Sequence, residues 1–111
     1  MTAATERAAL LRAIAEHLDE HPDLPVVNVI GRWDVWLQIP DRDGQAGVAT
    51  WARSLGVDSV TAEQPSGADY TRLVLPEAVF AGQPVEVWGT VRPPLEVWHG
   101  ARVPVFDLEV S

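Results

Sequence analysis

Apolar residues in this chain switch between two periods, and the switch limits the folds open to it. In residues 5–20, Leu11, Ile14, Ala15 and Leu18 recur at the three-and-four spacing that lines one helical face, with Leu10 widening the stripe. Thr2 or Thr5 is placed to cap the start, and Pro22 and Pro25 stop the helix because proline has no N–H for its ladder. Beyond them the period is two. Trp33, Val35, Leu37 and Ile39 fall on one side of an extended segment, and Arg32, Asp34, Trp36 and Gln38 fall on the other. Residues 26–30 read as a separate short strand broken near Gly31.

The turn formers Pro40-Asp41-Arg42-Asp43-Gly44 end that strand, and Asp43 stands where it would cap a second helix over residues 44–55. Val48, Trp51 and Leu55 supply its buried face, and Gly56 suits the left-handed position after its end. Residues 57–63 and 70–75 are expected to pair as antiparallel strands across a polar loop. The chain turns again at Ala81-Gly82-Gln83-Pro84. Residues 85–91, 95–98 and 103–110 all read as extended, and Pro104 argues for an edge position in the last run. The expectation is a single α+β domain over residues 1–111: a mostly antiparallel sheet of five to six strands with two helices on one face, in the order α-β-β-α-β-β-β-β. A chain of 111 residues supports one core of this kind.

Charge narrows the partners. Sixteen acidic residues against eight basic ones give a formal net charge of −8, which repels phosphate backbones, so no direct nucleic-acid binding is expected. The absence of cysteine removes disulfides, thiolate metal sites and thiol nucleophiles. The first twenty residues carry charges throughout, with no apolar signal region, and no run approaches 18 apolar residues. A cytoplasmic location without membrane association is the expectation.

Residues 84–98 repeat themselves. Pro84-Val85-Glu86-Val87-Trp88 is followed by Pro94-Leu95-Glu96-Val97-Trp98. On a strand, Val85, Val87, Leu95 and Val97 face inward, whereas Glu86, Trp88, Glu96 and Trp98 face away. Trp36 likewise shares its side with Arg32, Asp34 and Gln38. Three tryptophans on nominally polar faces would present roughly 450–750 Å² if uncovered, against about 300–600 Å² for the largest apolar patch of a typical monomer. Covering them is a matter of order 10 kcal/mol at most. The cover is a helix, a second copy of the chain, or a partner. Trp36, Trp88, Trp98, Glu86 and Glu96 are therefore the candidate binding residues, suited to an arginine-bearing protein through cation-π contacts and ion pairs, and less specifically to sugars or cationic small molecules.

Catalytic and metal signals are weak. His17 and His21 are four apart on the first helix, the spacing of two metal ligands, but without a third ligand; a histidine at a helix end also suits the helix dipole. Asp41-Arg42-Asp43-Gly44 lacks the further acids of a calcium loop, and Gly44 and Gly47 match no phosphate-binding spacing. His99 precedes Gly100 in an expected exposed turn. Glu86 and Glu96 form a conceivable carboxylate pair of the glycosidase kind, at a separation that sequence does not give. No cofactor and no catalytic residue is assigned.

The opening helix with His21-Pro22-Asp23-Leu24-Pro25, the following strand, the helix Val48-Ala49-Thr50-Trp51-Ala52-Arg53-Ser54-Leu55-Gly56-Val57 and the strand hairpin after it together resemble small uncharacterised proteins of actinobacteria, their phages and integrative elements. The use of arginine for every basic residue fits that comparison. The resemblance implies a GC-rich bacterial or phage origin and an accessory role, and carries over no catalytic residue. Three functions follow as expectations. The first is a non-enzymatic module that self-associates or binds a protein partner through the tryptophan and glutamate face. The second is an acidic inhibitor that mimics nucleic acid. The third is a small-molecule binder or enzyme with a pocket between helix and sheet.

Overall fold

The computed structural model describes residues 2–25, 27–30, 35–76, 78–96 and 99–109. Helix α1 spans Ala3–Glu20. Of the two threonines able to cap it, Thr2 does so, its hydroxyl accepting from the Thr5 N–H at 3.1 Å. Leu10 and Ile14 are buried and Leu18 is partly buried, whereas Leu11 lies 44% exposed and Ala15 is exposed. The face that packs keeps Leu10, Ile14 and Leu18 of the expected stripe, loses Leu11 and Ala15, and gains Ala13 and His17. It turns to take in a histidine used as a packing residue.

Strands β1 (Asn28–Ile30) and β2 (Trp36–Ile39) follow, antiparallel, with Ile30 opposite Trp36 and Asn28 opposite Gln38. Val35, Leu37 and Ile39 are buried as the alternation requires; Trp33 lies outside the described residues. A 3-10 turn at Asp41–Asp43 then leads into α2, Gly44–Ser54. Asp43 is itself helical in backbone and its side chain makes no cap hydrogen bond, so the expected cap is replaced by that turn. Gly56 takes φ +70°, as the end of α2 demands.

The rest is sheet. Strands β3 (Ser59–Glu63), β4 (Thr71–Val74), β5 (Ala78–Phe80), β6 (Gln83–Val91) and β7 (Arg102–Pro104) complete seven strands in the order β1-β2-β6-β4-β3-β7, with β5 also on β6. The β2–β6 pair is parallel and the other described pairs are antiparallel. Strands β4 and β5 lie along the same side of β6. Their registers differ by one residue, since Val74 opposes Trp88 while Ala78 opposes Val85. That slip lets Leu75 and Ala78, three apart, both reach the core.

Two runs read as strand, 95–98 and 103–110, depart from that reading among their described residues; Val97, Trp98 and Val110 lie outside those. Pro94, Leu95 and Glu96 pair with no strand: Pro93 and Pro94 offer no N–H, and the Leu95 N–H is taken by the buried Thr71 hydroxyl at 2.8 Å. In residues 103–110, β7 ends at Pro104 and a short helix, α3 (Val105–Glu109), begins. Val105 and Leu108 are buried at helical spacing against α2, and the Val105 N–H donates to the Asp58 carbonyl at 2.8 Å. Pro104 does lie on an edge strand. Among the described residues the architecture is thus α+β with three α-helices and seven strands, rather than two helices and five to six strands. No described helix is long and apolar enough to cross a membrane.

One core joins these elements. Leu37, Ile39, Val60, Ala62, Leu73, Val85 and Val87 project from one sheet face against Val48 and Trp51 of α2 and Leu10 and Ile14 of α1. Helix α2 sits close because Gly89 in β6 has no side chain. A Cβ there would stand 2.7 Å from Val48 Cγ2 and 3.1 Å from Ile39 Cβ. Gly47 of α2 is likewise close-packed: a Cβ there would stand 2.7 Å from Asp43 Cβ and 3.3 Å from Ile39 Cγ2. Replacing Gly89 with alanine is expected to destabilise the protein by about 1–3 kcal/mol, as overpacking against a stiff β-branched neighbour does, read as a lowered urea midpoint. A second test concerns the two-residue hairpin between β5 and β6, where Ala81 (φ 51°) and Gly82 (φ 73°) both take positive φ, the pattern of a type I′ turn. Ala81→Asn supplies the residue such a turn favours and is expected to raise stability by about 0.5–1 kcal/mol with an unchanged urea slope.

Candidate interaction face

All the helices that join the core pack on one side of the sheet, and alternation fixes what the other side carries. Cross-strand registers arrange it in rows. The first runs Ile30, Trp36, Glu86 across β1, β2 and β6; the second runs Asn28, Gln38, Trp88, Val74, Thr61 across β1, β2, β6, β4 and β3; the third runs Thr90, Arg72, Glu63 across β6, β4 and β3. None of these residues is buried. Of the five candidate binding residues, the fold brings Trp36, Trp88 and Glu86 onto this one face. Glu96 is exposed in the segment after the two prolines and belongs to no strand, and Trp98 lies outside the described residues. The two pentapeptides are therefore not structural equivalents, and Glu86 and Glu96 do not share a strand pair.

Trp36 is 42% exposed beside Ile30 at 39%, a pair of large apolar side chains at the β1 edge. Trp88 has a different environment. The Arg72 guanidinium lies over its ring, 4.5 Å from the centroid, and also contacts the Glu86 carboxylate, with Glu63 at 3.9 Å. The cation expected from a partner is thus supplied by the chain's own β4 strand. That contact satisfies the ring electrostatically and leaves Trp36 as the open member of the pair. A parallel arrangement stands at the end of β6, where Arg92 lies over Tyr70 at 5.1 Å and pairs with Asp41 at 2.9 Å and with Asp69. These two carboxylates raise the Arg92 pKa above its ordinary value, chiefly through the Asp41 hydrogen bond. Because each of these acids is paired with Arg72 or Arg92, the face presents no cluster of unpaired carboxylates, and the reading as a nucleic-acid mimic draws no support from it.

His17 is the residue whose role periodicity did not give. Its ring stacks on Trp51 (5.6 Å, 24°), meets Phe80 edge-on (5.5 Å) and lies 4.3 Å from His21, so it joins α1 to α2 and β5. Its Nε2 is 2.9 Å from Ser54 Oγ, a contact that invites comparison with a nucleophile and its base. The proton directions run the other way. The Ser54 hydroxyl donates to the Trp51 carbonyl at 2.7 Å, so Nε2–H must donate to Ser54, and the imidazole is no base toward it. His21 Nδ1 donates to the His17 carbonyl at 2.9 Å. No group of three metal-ligating side chains occurs among the described residues. His99 is exposed, its Nδ1 accepting from the Gln64 N–H at 3.2 Å.

No family model matches the chain, and no curated protein and no solved structure is significantly similar to it.

Burial, and next the neighbouring His21, lower the His17 pKa below 6.5, with Glu20 opposing. The unfolded chain therefore takes up a proton at His17 before the folded chain does. Stability is expected to fall as pH drops below about 6.5. His17→Gln, which keeps a donor for Ser54, should flatten the slope of urea stability between pH 5 and pH 7.5; an unchanged slope would remove His17 as its origin.

Proposed function

We propose that this protein is a non-enzymatic interaction module that associates through the uncovered sheet face, with a second copy of the chain as its first partner. The observation that carries this reading is the exposure of Trp36 directly opposite Ile30, on a face that no described helix covers. Two features favour a second copy. The β1 edge, Asn28–Ile30, is uncharged and exposed on both sides, with Val29 at 53%, whereas the far edge β7 is blunted by Pro104 and followed by α3. Arg72 and Arg92 also each pair with two of the four carboxylates Glu63, Glu86, Asp41 and Asp69, which lessens the repulsion between two copies of a chain of net charge −8.

Sedimentation velocity over roughly 10 μM to 1 mM, where modest interfaces saturate, tests this. The weight-average mass should rise with concentration for the natural chain and stay at the monomer value for Trp36→Ser, whose exposed position leaves the core intact. A natural chain that stays monomeric across that range would rule out self-association, and the face would then have to serve a different protein.

A further inference from the structure

One end of the open face holds more hydrogen-bonding capacity than the fold uses. Beside Trp88 there is a cleft of about 340 Å³ floored by the Asn28, Gln38, Trp88 row and by Thr90, and closed by Pro40, Asp41, Tyr70 and Arg92. The Asn28 and Gln38 amides and the Thr90 and Tyr70 hydroxyls make no hydrogen bond to any described residue, and Trp88 Nε1, which is closed off from solvent, lacks a partner as well. Two amides and two hydroxyls thus line one cleft with donors and acceptors both unspent. The charged groups at the rim are, by contrast, already engaged: Arg92 holds Asp41 and Asp69 and lies over Tyr70.

We propose that this cleft binds a neutral saccharide. Each alternative class meets a specific obstacle. An anion would face two carboxylates against one guanidinium, on a protein of net charge −8. A cation would have to displace Arg92 from both its acids. A purely apolar ligand would leave the amides and hydroxyls desolvated without partners. A pyranose offers hydroxyls that donate and accept to the free amides and hydroxyls, and a C–H surface for what Arg92 and Arg72 leave open of Tyr70 and Trp88. The cleft is shallow and its lining mostly polar, which sets a weak affinity, in the millimolar range. This site goes beyond the association reading and does not depend on it: the two share Asn28 at the β1 edge, but Trp36 and Ile30 take no part in the cleft.

The test is a two-dimensional ¹H-¹⁵N titration of the intact chain with glucose, galactose, mannose and N-acetylglucosamine in turn, and with glucose 6-phosphate as the anionic control. At least one neutral sugar should give saturable shifts of the Asn28 and Gln38 side-chain amides and the Trp88 indole N–H. Binding should weaken about fivefold in Gln38→Ala, the loss of one neutral hydrogen bond, and the phosphate should bind more weakly than glucose. Asn28→Ala, at the exposed sheet edge, carries the same expectation if Gln38→Ala disturbs the fold. Absence of saturable shifts with all four sugars overturns the proposal. So does a response centred on residues outside the cleft, or equal binding of the phosphate. Sedimentation of the Trp36 variant is unaffected by any of these outcomes, so the two readings fail separately.

Discussion

The two-residue alternation of β6 is the constraint on which the rest of this fold depends. This strand pairs with β2, β4 and β5 and lies under α2, so its pleat assigns sides for most of the molecule. Val85, Val87, Gly89 and Val91 point to the core; Glu86, Trp88 and Thr90 point away. A slip of one residue would drive Trp88 and Glu86 into the helices and expose the valines, which is prohibitive in a core this densely shared. Gly89 then decides how near α2 can come, and that closeness is what buries Trp51 and Val48 completely.

The same alternation creates a second, uncovered surface, and the chain's arginines condition it. Arg72 spans Trp88, Glu86 and Glu63; Arg92 spans Tyr70, Asp41 and Asp69. Exposed pairs of this kind contribute little to stability. Their effect is on recognition: the acids are paired where they stand, the aromatic rings are held, and the remaining free chemistry divides into an apolar edge at Trp36 and Ile30 and a polar cleft of uncommitted amides and hydroxyls.

Much of this was legible before any coordinates. Period-two alternation located Leu37 and Ile39 in the core and put Trp36, Glu86 and Trp88 on the opposite side, because a strand's sidedness is a local property. The antiparallel pairing of residues 57–63 with 70–75 was also legible; what failed depends on partners distant in sequence. The second pentapeptide copies the first in residue type, yet two prolines and a hydrogen bond to Thr71 take its opening residues out of the sheet. Residues 103–110 alternate convincingly through Val105, but packing against α2 rewards helical spacing of Val105 and Leu108 instead. His17 sat on the helix in plain view; only the arrival of Trp51, Phe80 and Ser54 from elsewhere makes it a packing residue. Arg72 likewise could not be matched to Trp88 without the β4–β6 register.

The central claim is that one sheet face is covered by helices and the other is not. Residue-resolved relaxation of the tryptophan indole N–H signals by a neutral paramagnetic agent dissolved in the solvent measures this directly, in dilute protein where association is minimal. The expected result is strong relaxation of Trp36, weak relaxation of Trp88 beneath Arg72, and none of Trp51, whose ring is 0% exposed. Trp36 as well protected as Trp51 under those conditions would contradict the account, since it would mean that the chain itself covers the face taken to be open.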